Sequence, residues 1–338
     1  MRLVIVHNPS AGDGTEGDEI ERLARRHGHT TTLVDTGDGW AEGVRAASAD
    51  LVVVAGGDGT VREVLTTLAQ DGPAQRPVAV LPLGTANNIA RSLGLEVDDP
   101  WSEIGEWDGT GRLPVRFDVA VVEGDGRSRP FVESFGGGFV AAALASAEDA
   151  PEQTDDGNEH GRQHLMETLD RVEPAWWTLV VDGRDRSGEY LAVEVMNVPT
   201  VGPILPLAPS ASPHDGWLDV VCISPSCRRL LRSTIAGTAD GTDLEVLGGS
   251  RASTLELTPP GGTPMHLDDE LHISDGDLRR VTLQGRTVPV LASTVQTPRS
   301  GTDRDRFAAH RPDRPQTDPR PTASRTAWPA DDRRIRHG

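Results

Sequence analysis

One stretch constrains the fold of this chain more than any other, the ten residues from Leu51 to Thr60. Its first half, Leu51 to Ala55, is apolar and mostly β-branched, as is typical of a strand buried in a parallel sheet. It continues through Gly-Gly-Asp-Gly-Thr into a segment whose apolar positions 61, 64, 65 and 68 have helical spacing. Strand, glycine turn and helix in that order place backbone N–H groups at a helix N-terminus, where an anion binds well. The stretch therefore predicts a phosphate-binding turn. The alternative, a glycine-rich turn without a ligand, is disfavoured because Asp58 and Thr60 lie inside it.

Strands that alternate with helices before and after this stretch predict a parallel sheet. Besides Leu51–Ala55, the predicted strands are Arg2–His7, Thr31–Val34 and Val78–Pro82, and the predicted helices are Glu16–His27, Trp40–Ser48, Val61–Leu68 and Asn87–Leu93. Such βαβ units bind their ligands at the carboxyl ends of the strands. Polar or glycine-rich residues follow the strands at that edge, namely Asn8-Pro9, Thr36, Gly56–Thr60 and Gly84-Thr85. We therefore expect the functional site there.

From about Val115 the chain changes to short strands separated by Gly, Pro and Asp turns. The predicted strands are Val115–Val122, Pro130–Phe135, Trp176–Asp182, Tyr190–Val198, Leu218–Ile223, Thr254–Leu257 and Leu271–Ile273. Recurring short strands predict a β-sandwich. The acidic segment Glu148–His164 predicts a mobile loop that leads into a helix at Leu165–Val172. We expect an α/β domain at 1–113 with returning strands at about 280–293, a β-sandwich domain at 114–279, and a disordered tail rich in Arg, Pro and Asp at 297–338.

The composition excludes several classes of function. A net charge of −19 argues against a nucleic-acid-binding protein, which needs a basic face to neutralise phosphates. The 33 basic residues are all arginine, so the catalytic lysine of a P-loop NTPase or a protein kinase is missing. The two cysteines match neither a disulfide framework nor a zinc pattern, which predicts a cytoplasmic protein. No apolar run approaches the roughly 20 residues that a spanning helix needs.

Three motifs in order resemble the diacylglycerol kinase catalytic-domain family, which includes bacterial lipid kinases and sphingosine kinases. They are Asn8-Pro9-Ser10-Ala11-Gly12, Gly56-Gly57-Asp58-Gly59-Thr60 and Pro82-Leu83-Gly84-Thr85-Ala86-Asn87-Asn88. The resemblance implies an N-terminal α/β domain, a parallel sheet with helices on both faces, followed by a C-terminal antiparallel β-sandwich that takes the lipid substrate. It also implies an ATP- and Mg²⁺-dependent kinase that phosphorylates a hydroxyl of diacylglycerol or a related lipid. Peripheral membrane contact and a homodimer are both possible on this interpretation.

The same resemblance assigns roles to individual residues. The nucleotide-binding residues would be Asn8, Pro9, Ser10, Ala11, Gly12, Thr36, Gly56, Gly57, Gly59, Thr60, Arg62, Glu63 and Thr85. In Asp215-Gly-Trp217-Leu-Asp, the Asp215 carboxylate and the Trp217 main chain would bind a structural Mg²⁺, the alternative being a simple β-turn. In Asp268-Asp269-Glu270, Glu270 would be the general base and Asp268 its close neighbour, with Asp58 as the third catalytic residue. The glycine-rich segment Phe135–Phe139 resembles the stretch on the acceptor side.

Two positions depart from the family pattern. Arg62 replaces the usual asparagine, and Asp269 replaces the glycine of Asp-Gly-Glu. These departures keep open a non-catalytic, nucleotide-binding regulatory protein, and an NAD kinase is the alternative with the same chemistry. A formal dinucleotide-binding pattern of glycines at positions 12–17 would indicate an oxidoreductase. It lies too far from the preceding strand, so we expect a kinase instead.

Overall fold

The computed structural model describes residues 1–9, 17–37, 39–70, 76–107, 112–124, 126–148, 157–239, 249–283 and 285–293. The strands are β1 (Arg2–His7), β2 (Thr30–Asp35), β3 (Leu51–Gly56), β4 (Val78–Pro82), β5 (Arg112–Asp118), β6 (Ala120–Gly124), β7 (Arg127–Phe131), β8 (Ser134–Gly138), β9 (Ala175–Val181), β10 (Arg184–Asp185), β11 (Gly188–Tyr190), β12 (Ala192–Met196), β13 (Leu218–Ile223), β14 (Ser250–Ala252), β15 (Thr254–Thr258), β16 (Pro264–Leu267), β17 (Glu270–Ile273), β18 (Arg279–Thr282) and β19 (Thr287–Ser293). The helices are α1 (Gly17–Arg26), α2 (Trp40–Ala46), α3 (Asp58–Gln70), α4 (Asn88–Ser92), α5 (Glu103–Glu106), α6 (Phe139–Glu148), α7 (Gly157–Arg171) and α8 (Arg228–Ile235), with short 3₁₀ turns at Pro100–Ser102 and Pro225–Cys227. Among the described residues, no helix has the length and apolar character needed to cross a bilayer.

The first sheet has the strand order β2-β1-β3-β4-β19-β5, and all neighbours are parallel except β19 and β5. Successive residues of β1 point to opposite faces and are buried on both. Val4 and Val6 pack in the cluster that includes α2, α3 and α4, whereas Leu3 and Ile5 pack in the cluster that includes α1 and α5. Helices therefore cover both faces, which confirms the predicted α/β architecture and explains why the strands are continuously apolar.

The second part of the chain forms two antiparallel sheets. Their strand orders are β10-β9-β15-β18-β6-β7, with β11 also on β9, and β14-β13-β12-β8-β16-β17. One buried cluster contains apolar residues of both sheets, among them Trp177, Leu257 and Val281 of the first and Phe135 and Val195 of the second. Helices α6, α7 and α8 pack on the other face of the second sheet. The predicted β-sandwich is confirmed.

Several predicted elements differ in extent. The predicted strand Val115–Val122 is two strands in different sheets, because the chain passes from the first sheet to the sandwich at Val119. Helix α7 begins at Gly157, inside the segment predicted as a loop. Of the predicted returning strands, β19 joins the first sheet but β18 stays in the sandwich. The predicted domain boundary between residues 113 and 114 therefore falls within β5, and the predicted tail at 297–338 lies outside the described residues.

A further difference affects the site directly. The predicted strand Pro130–Phe135 is interrupted, since β7 ends at Phe131 and β8 begins at Ser134. Val132 and Glu133 form the connection between these strands. Glu133 therefore lies in a tight turn rather than on a sandwich face.

Candidate active site

The predicted phosphate turn lies where β3 meets the 13-residue helix α3. The turn packs against the next one along the sheet edge, and the Leu83 N–H donates to the Gly56 carbonyl at 3.0 Å. A Cβ atom built on Gly84 would lie 2.5 Å from the Gly57 Cα, so Gly84 leaves no room for a side chain. The first N–H groups of an α-helix have no partner within the helix. The turn thus presents bare main chain and helix N–H groups at the carboxyl ends of β3 and β4.

Asn8 supports this turn from the end of β1. Its Nδ2 donates to Oγ1 of the buried Thr60 at 3.0 Å, and its own N–H donates to the Ala55 carbonyl at 3.2 Å. Pro9 follows as an exposed residue. The structure therefore brings Asn8 and Thr60 together as the motifs predict. Ser10, Ala11 and Gly12, predicted to complete the loop, lie outside the described residues.

Asp58 ties the phosphate turn to α4. Its two carboxylate oxygens accept the backbone N–H groups of Asn88 at 2.9 Å and Ile89 at 3.0 Å. Burial raises the pKa of Asp58, although these two N–H donors favour its ionised form. The side chain predicted to be catalytic is therefore also a structural connection between the two turns of the site.

Asp268 performs a similar role in the second domain. Its carboxylate accepts the N–H groups of Val132, Glu133 and Ser134, the shortest distance being 2.8 Å to Glu133. The residue is buried, and its φ of 51° lies in the left-handed region. Burial raises the pKa of Asp268. Asp268 therefore fixes the β7–β8 turn.

Glu133, which the sequence reasoning missed, lies between the two domains. Its Oε2 accepts the side-chain amide of Asn88 at 3.3 Å. Burial, followed by the charges of Asp58 and Asp268, raises the pKa of Glu133 well above its ordinary value. Three carboxyl groups from separate segments thus influence one another at this position. An acid inside a predicted strand, followed by Ser134 and flanked by Phe131 and Phe135, was the signal that could have identified it.

The two remaining acids of the Asp268-Asp269-Glu270 segment pair with arginines. Asp269 forms an ion pair with Arg62 of α3. Glu270, the predicted base, forms an ion pair with Arg129 of β7, and 58% of its side chain is exposed. Three consecutive acids therefore occupy three different environments, and the assignment of Glu270 as the base with Asp268 as its close neighbour stays a prediction.

The other predicted nucleotide contacts lie along the same edge of the sheet or on α3. The Thr36 N–H donates to the His7 carbonyl at 2.8 Å, just beyond β2. The Glu63 carboxylate accepts the indole N–H of Trp40 at 2.7 Å, which joins α3 to α2. Thr85 is exposed beside Gly84. Of these residues, Glu63 already has a structural partner.

The predicted metal loop does not offer a ready magnesium site. The Asp215 carboxylate forms an ion pair with Arg251 at 3.2 Å and accepts the Trp217 N–H at 3.0 Å. Asp118 accepts the neighbouring Gly216 N–H at 2.9 Å, and burial raises the pKa of Asp118 to about 6. In the described parts of the chain, no group of three or more His, Cys, Asp or Glu is arranged to hold a metal ion. Because a guanidinium already neutralises Asp215, we assign no step to a metal at this loop.

Comparisons with known proteins match both domains. A family model described as diacylglycerol kinase catalytic domain matches residues 2–117, and one described as YegS C-terminal NAD kinase beta sandwich-like domain matches residues 134–290. A protein of Pseudomonas aeruginosa (strain UCBPP-PA14) named "Probable lipid kinase YegS-like" is 30% identical over 278 residues, which cover 79% of this chain and 87% of that protein. The protein named "Diacylglycerol kinase" of Bacillus subtilis (strain 168) is 27% identical over 233 residues, covering 66% and 73% of the two chains.

The fold has a solved counterpart. The crystal structure of a diacylglycerol kinase from Bacillus anthracis str. Sterne superimposes with a TM-score of 0.63 at 21% identity, covering 87% of this chain and 97% of that one. At this identity the likeness concerns the fold alone. It agrees with the two-domain architecture described above.

Proposed function

The chain belongs to the diacylglycerol kinase catalytic-domain family, and from this premise we propose that it is a lipid kinase. In the proposed reaction, the γ-phosphoryl group of ATP is transferred to a hydroxyl of diacylglycerol or a related lipid alcohol. We further propose that the enzyme is cytoplasmic and that it reaches this acceptor through peripheral contact with the membrane.

One observation carries the proposal. The N-terminus of α3 and its close-packed glycines face the acidic turns of the second domain, as the contacts Arg62–Asp269 and Asn88–Glu133 demonstrate. Phosphoryl transfer requires positioning and charge neutralisation more than covalent chemistry. Here, main-chain N–H groups that can bind phosphate lie opposite carboxylates that can accept a proton, as phosphoryl transfer to a hydroxyl requires.

We assign each group of residues a role in this reaction. Backbone N–H groups at Asp58, Gly59 and Thr60 hold the phosphates, because a helix N-terminus favours anions and the glycines allow close approach. Arg62 adds a side-chain cation beside this turn, where the lysine-free sequence has no lysine to supply one. Magnesium that accompanies ATP supplies further neutralisation of the phosphate oxygens when bound. Asp58 positions the turn at Gly84 through its hydrogen bonds to the N-terminus of α4.

Glu270 is the proposed proton acceptor. Its side chain faces solvent, so an incoming lipid hydroxyl can reach it, whereas Asp268 is buried against main-chain amides. The hydroxyl oxygen attacks the γ-phosphorus, its proton passes to the carboxylate, and the bond to the β–γ bridging oxygen breaks to release ADP. Asp268 contributes by holding the turn from which Glu270 extends.

The test is an incubation of the purified protein with radiolabelled ATP, Mg²⁺ and a mixed lipid extract, with a parallel reaction that contains NAD. The proposal expects label in a lipid and none in the dinucleotide. The Glu270→Gln variant should lose labelling. The Glu256→Gln variant should retain it, because Glu256 of β15 pairs with Arg280 of β18, away from the proposed site. Labelled NADP would support the NAD kinase alternative, and no product with any acceptor would support a regulatory protein.

A further inference from the structure

A fully buried polar pair lies beneath the turn that carries the proposed base. Glu194 of β12 and His266 of β16 have no exposed side-chain surface, and Oε2 of the glutamate lies 2.8 Å from Nε2 of the histidine. The flanking residues Val193, Val195, Met265 and Leu267 point into the core between the two sheets, so the pair lies on the opposite face of the second sheet, which the helices cover. Burying two titratable groups there is unfavourable unless they satisfy each other. Nothing in the proposed reaction uses either residue directly, so their presence needs another explanation.

The pairing depends on a glycine between them. Strand β8 separates β12 from β16, and Gly136 is in register with both Glu194 and His266. A Cβ atom on Gly136 would collide with the Glu194 carboxylate. The absent side chain is therefore what allows the two polar residues to meet across an intervening strand. This gives Gly136, in the segment whose glycines resemble the acceptor side of the family, a specific physical role.

The second nitrogen of the imidazole contacts the active-site turn. His266 Nδ1 lies 3.0 Å from the main-chain carbonyl of Asp268. A carbonyl only accepts hydrogen bonds, so Nδ1 carries a proton and donates it. Nε2 then faces the Glu194 carboxyl, and a single proton is shared between them, on the imidazole or on the acid. The glutamate thereby fixes the orientation of the ring.

Asp268 needs such a constraint. Its φ of 51° is a conformation that non-glycine residues seldom adopt, and it persists only where surrounding contacts enforce it. The carboxylate is held by the N–H groups of residues 132–134, and the Asp268 N–H donates to the Ser134 carbonyl at 2.7 Å. The hydrogen bond from His266 holds the remaining carbonyl, from which the chain continues to Asp269 and Glu270.

We propose that Glu194 and His266 are positioning residues that fix the Asp268-Asp269-Glu270 turn for phosphoryl transfer. This inference rests on the proposed lipid kinase activity. The charged and titratable groups near the pair include the Asp268 carboxylate and His272 of β17. The alternative is that the pair contributes only to the stability of the sandwich.

The double variant Glu194→Met with His266→Leu separates these two roles. Replacing a buried ionic pair with apolar residues of similar volume is often neutral or stabilising, so the sandwich should fold. We expect kcat to fall by about tenfold or more because the base is no longer held in place, with the KM for ATP changed by less than about twofold. A folded double variant with wild-type kcat would overturn the proposal.

A matched control is Glu103→Gln in the first domain. Glu103 is equally buried and binds Arg112 at 2.6 Å, but it lies outside the proposed site. This variant should lower the melting temperature and leave kcat unchanged. If it reduces kcat as strongly as the double variant, the effect of the pair is one of general stability and the proposal fails.

Two measurements do not depend on activity or on the double variant. In wild-type protein labelled with ¹⁵N-histidine, NMR should detect a slowly exchanging proton on Nδ1 of His266, and an unprotonated Nδ1 would overturn the proposal. In the conservative variant His266→Gln, hydrogen exchange at the Val132, Glu133 and Ser134 amides should become faster than in the wild type, and unchanged exchange would contradict it. If no lipid is phosphorylated by the wild type, the proposed function fails, while these two measurements still decide whether the pair holds the turn.

Discussion

Arg62 of α3 and Asp269 of the β16–β17 turn form an ion pair that joins the two domains. These are the two positions at which the sequence departs from the family motifs, and the structure brings them together. Burial raises the pKa of Asp268 and of Glu133, and the charge of Arg62 offsets part of this rise in both carboxyls. The two departures are therefore best explained as a compensating pair, and they do not by themselves indicate a loss of catalysis.

Arg62→Gln should weaken ATP binding. The variant removes a cation beside three acids, so we expect the KM for ATP to rise about tenfold, equivalent to about 1.4 kcal/mol. Asp269→Asn should leave this KM unchanged or lower it, because the guanidinium is then free to contact phosphate. Steady-state kinetics with Arg280→Gln as the control measures the effect. Equal weakening by Arg62→Gln and Arg280→Gln would show that Arg62 has no specific role.

Gly84→Ala should disturb the phosphate turn through backbone contact. The new Cβ would lie 2.5 Å from the Gly57 Cα, so one of the two turns must shift. We expect a loss of about 1–3 kcal/mol in the free energy of unfolding and an increase in the KM for ATP. Gly161→Ala in α7 is the control, since its Cβ would make only an ordinary contact at 3.4 Å. Denaturant titration and kinetics of both variants decide the point, and an unaffected Gly84→Ala protein would contradict the described packing.

Asp58→Ala should lose stability as well as activity. The variant leaves the Asn88 and Ile89 N–H groups without their acceptor, at a cost of about 2 kcal/mol. Asp58→Asn keeps one acceptor oxygen and should be destabilised less. Thermal unfolding of both variants measures the difference. If Asp58→Ala abolished activity with full wild-type stability, the residue would act in the chemistry alone and not through α4.

Glu133 should give ATP binding a dependence on pH. Because the pKa of Glu133 is raised, the residue is neutral at low pH and gains a negative charge as the pH rises through that pKa. ATP is an anion, so its KM should increase over this range, and Glu133→Gln should abolish the increase. The folded state also binds the extra proton, so the free energy of unfolding of the wild type should fall relative to Glu133→Gln as the pH rises. A pH dependence identical in both proteins would contradict this assignment.

The parts of the fold that follow from local sequence patterns could be predicted from the sequence. The apolar strand before Gly56 and the helical spacing after Thr60 place the phosphate turn at the correct edge, because βαβ units put the carboxyl ends of parallel strands together. The sandwich followed from short recurring strands. The predicted ends of strands were less reliable where the chain passes from one sheet to another, as at Val119.

The rest of the site depends on tertiary relationships that local pattern does not contain. Glu133 was missed because a two-residue turn interrupts what reads as one strand. Glu194 and His266 look like ordinary strand positions, and only the register across β8 brings them together. The environments of Asp268 and Glu270 differ. Asp268 precedes β17 and is buried in a left-handed conformation, whereas Glu270 is the exposed first residue of β17, an edge strand.

The most direct test of the proposed phosphate site is the structure of a complex with a non-hydrolysable ATP analogue and Mg²⁺. We expect the triphosphate to lie on the Gly56–Thr60 turn, with its oxygens within hydrogen-bonding distance of the N-terminal N–H groups of α3 and with Arg62 adjacent. A triphosphate bound away from residues 56–60, with these N–H groups contacting only solvent, would contradict it.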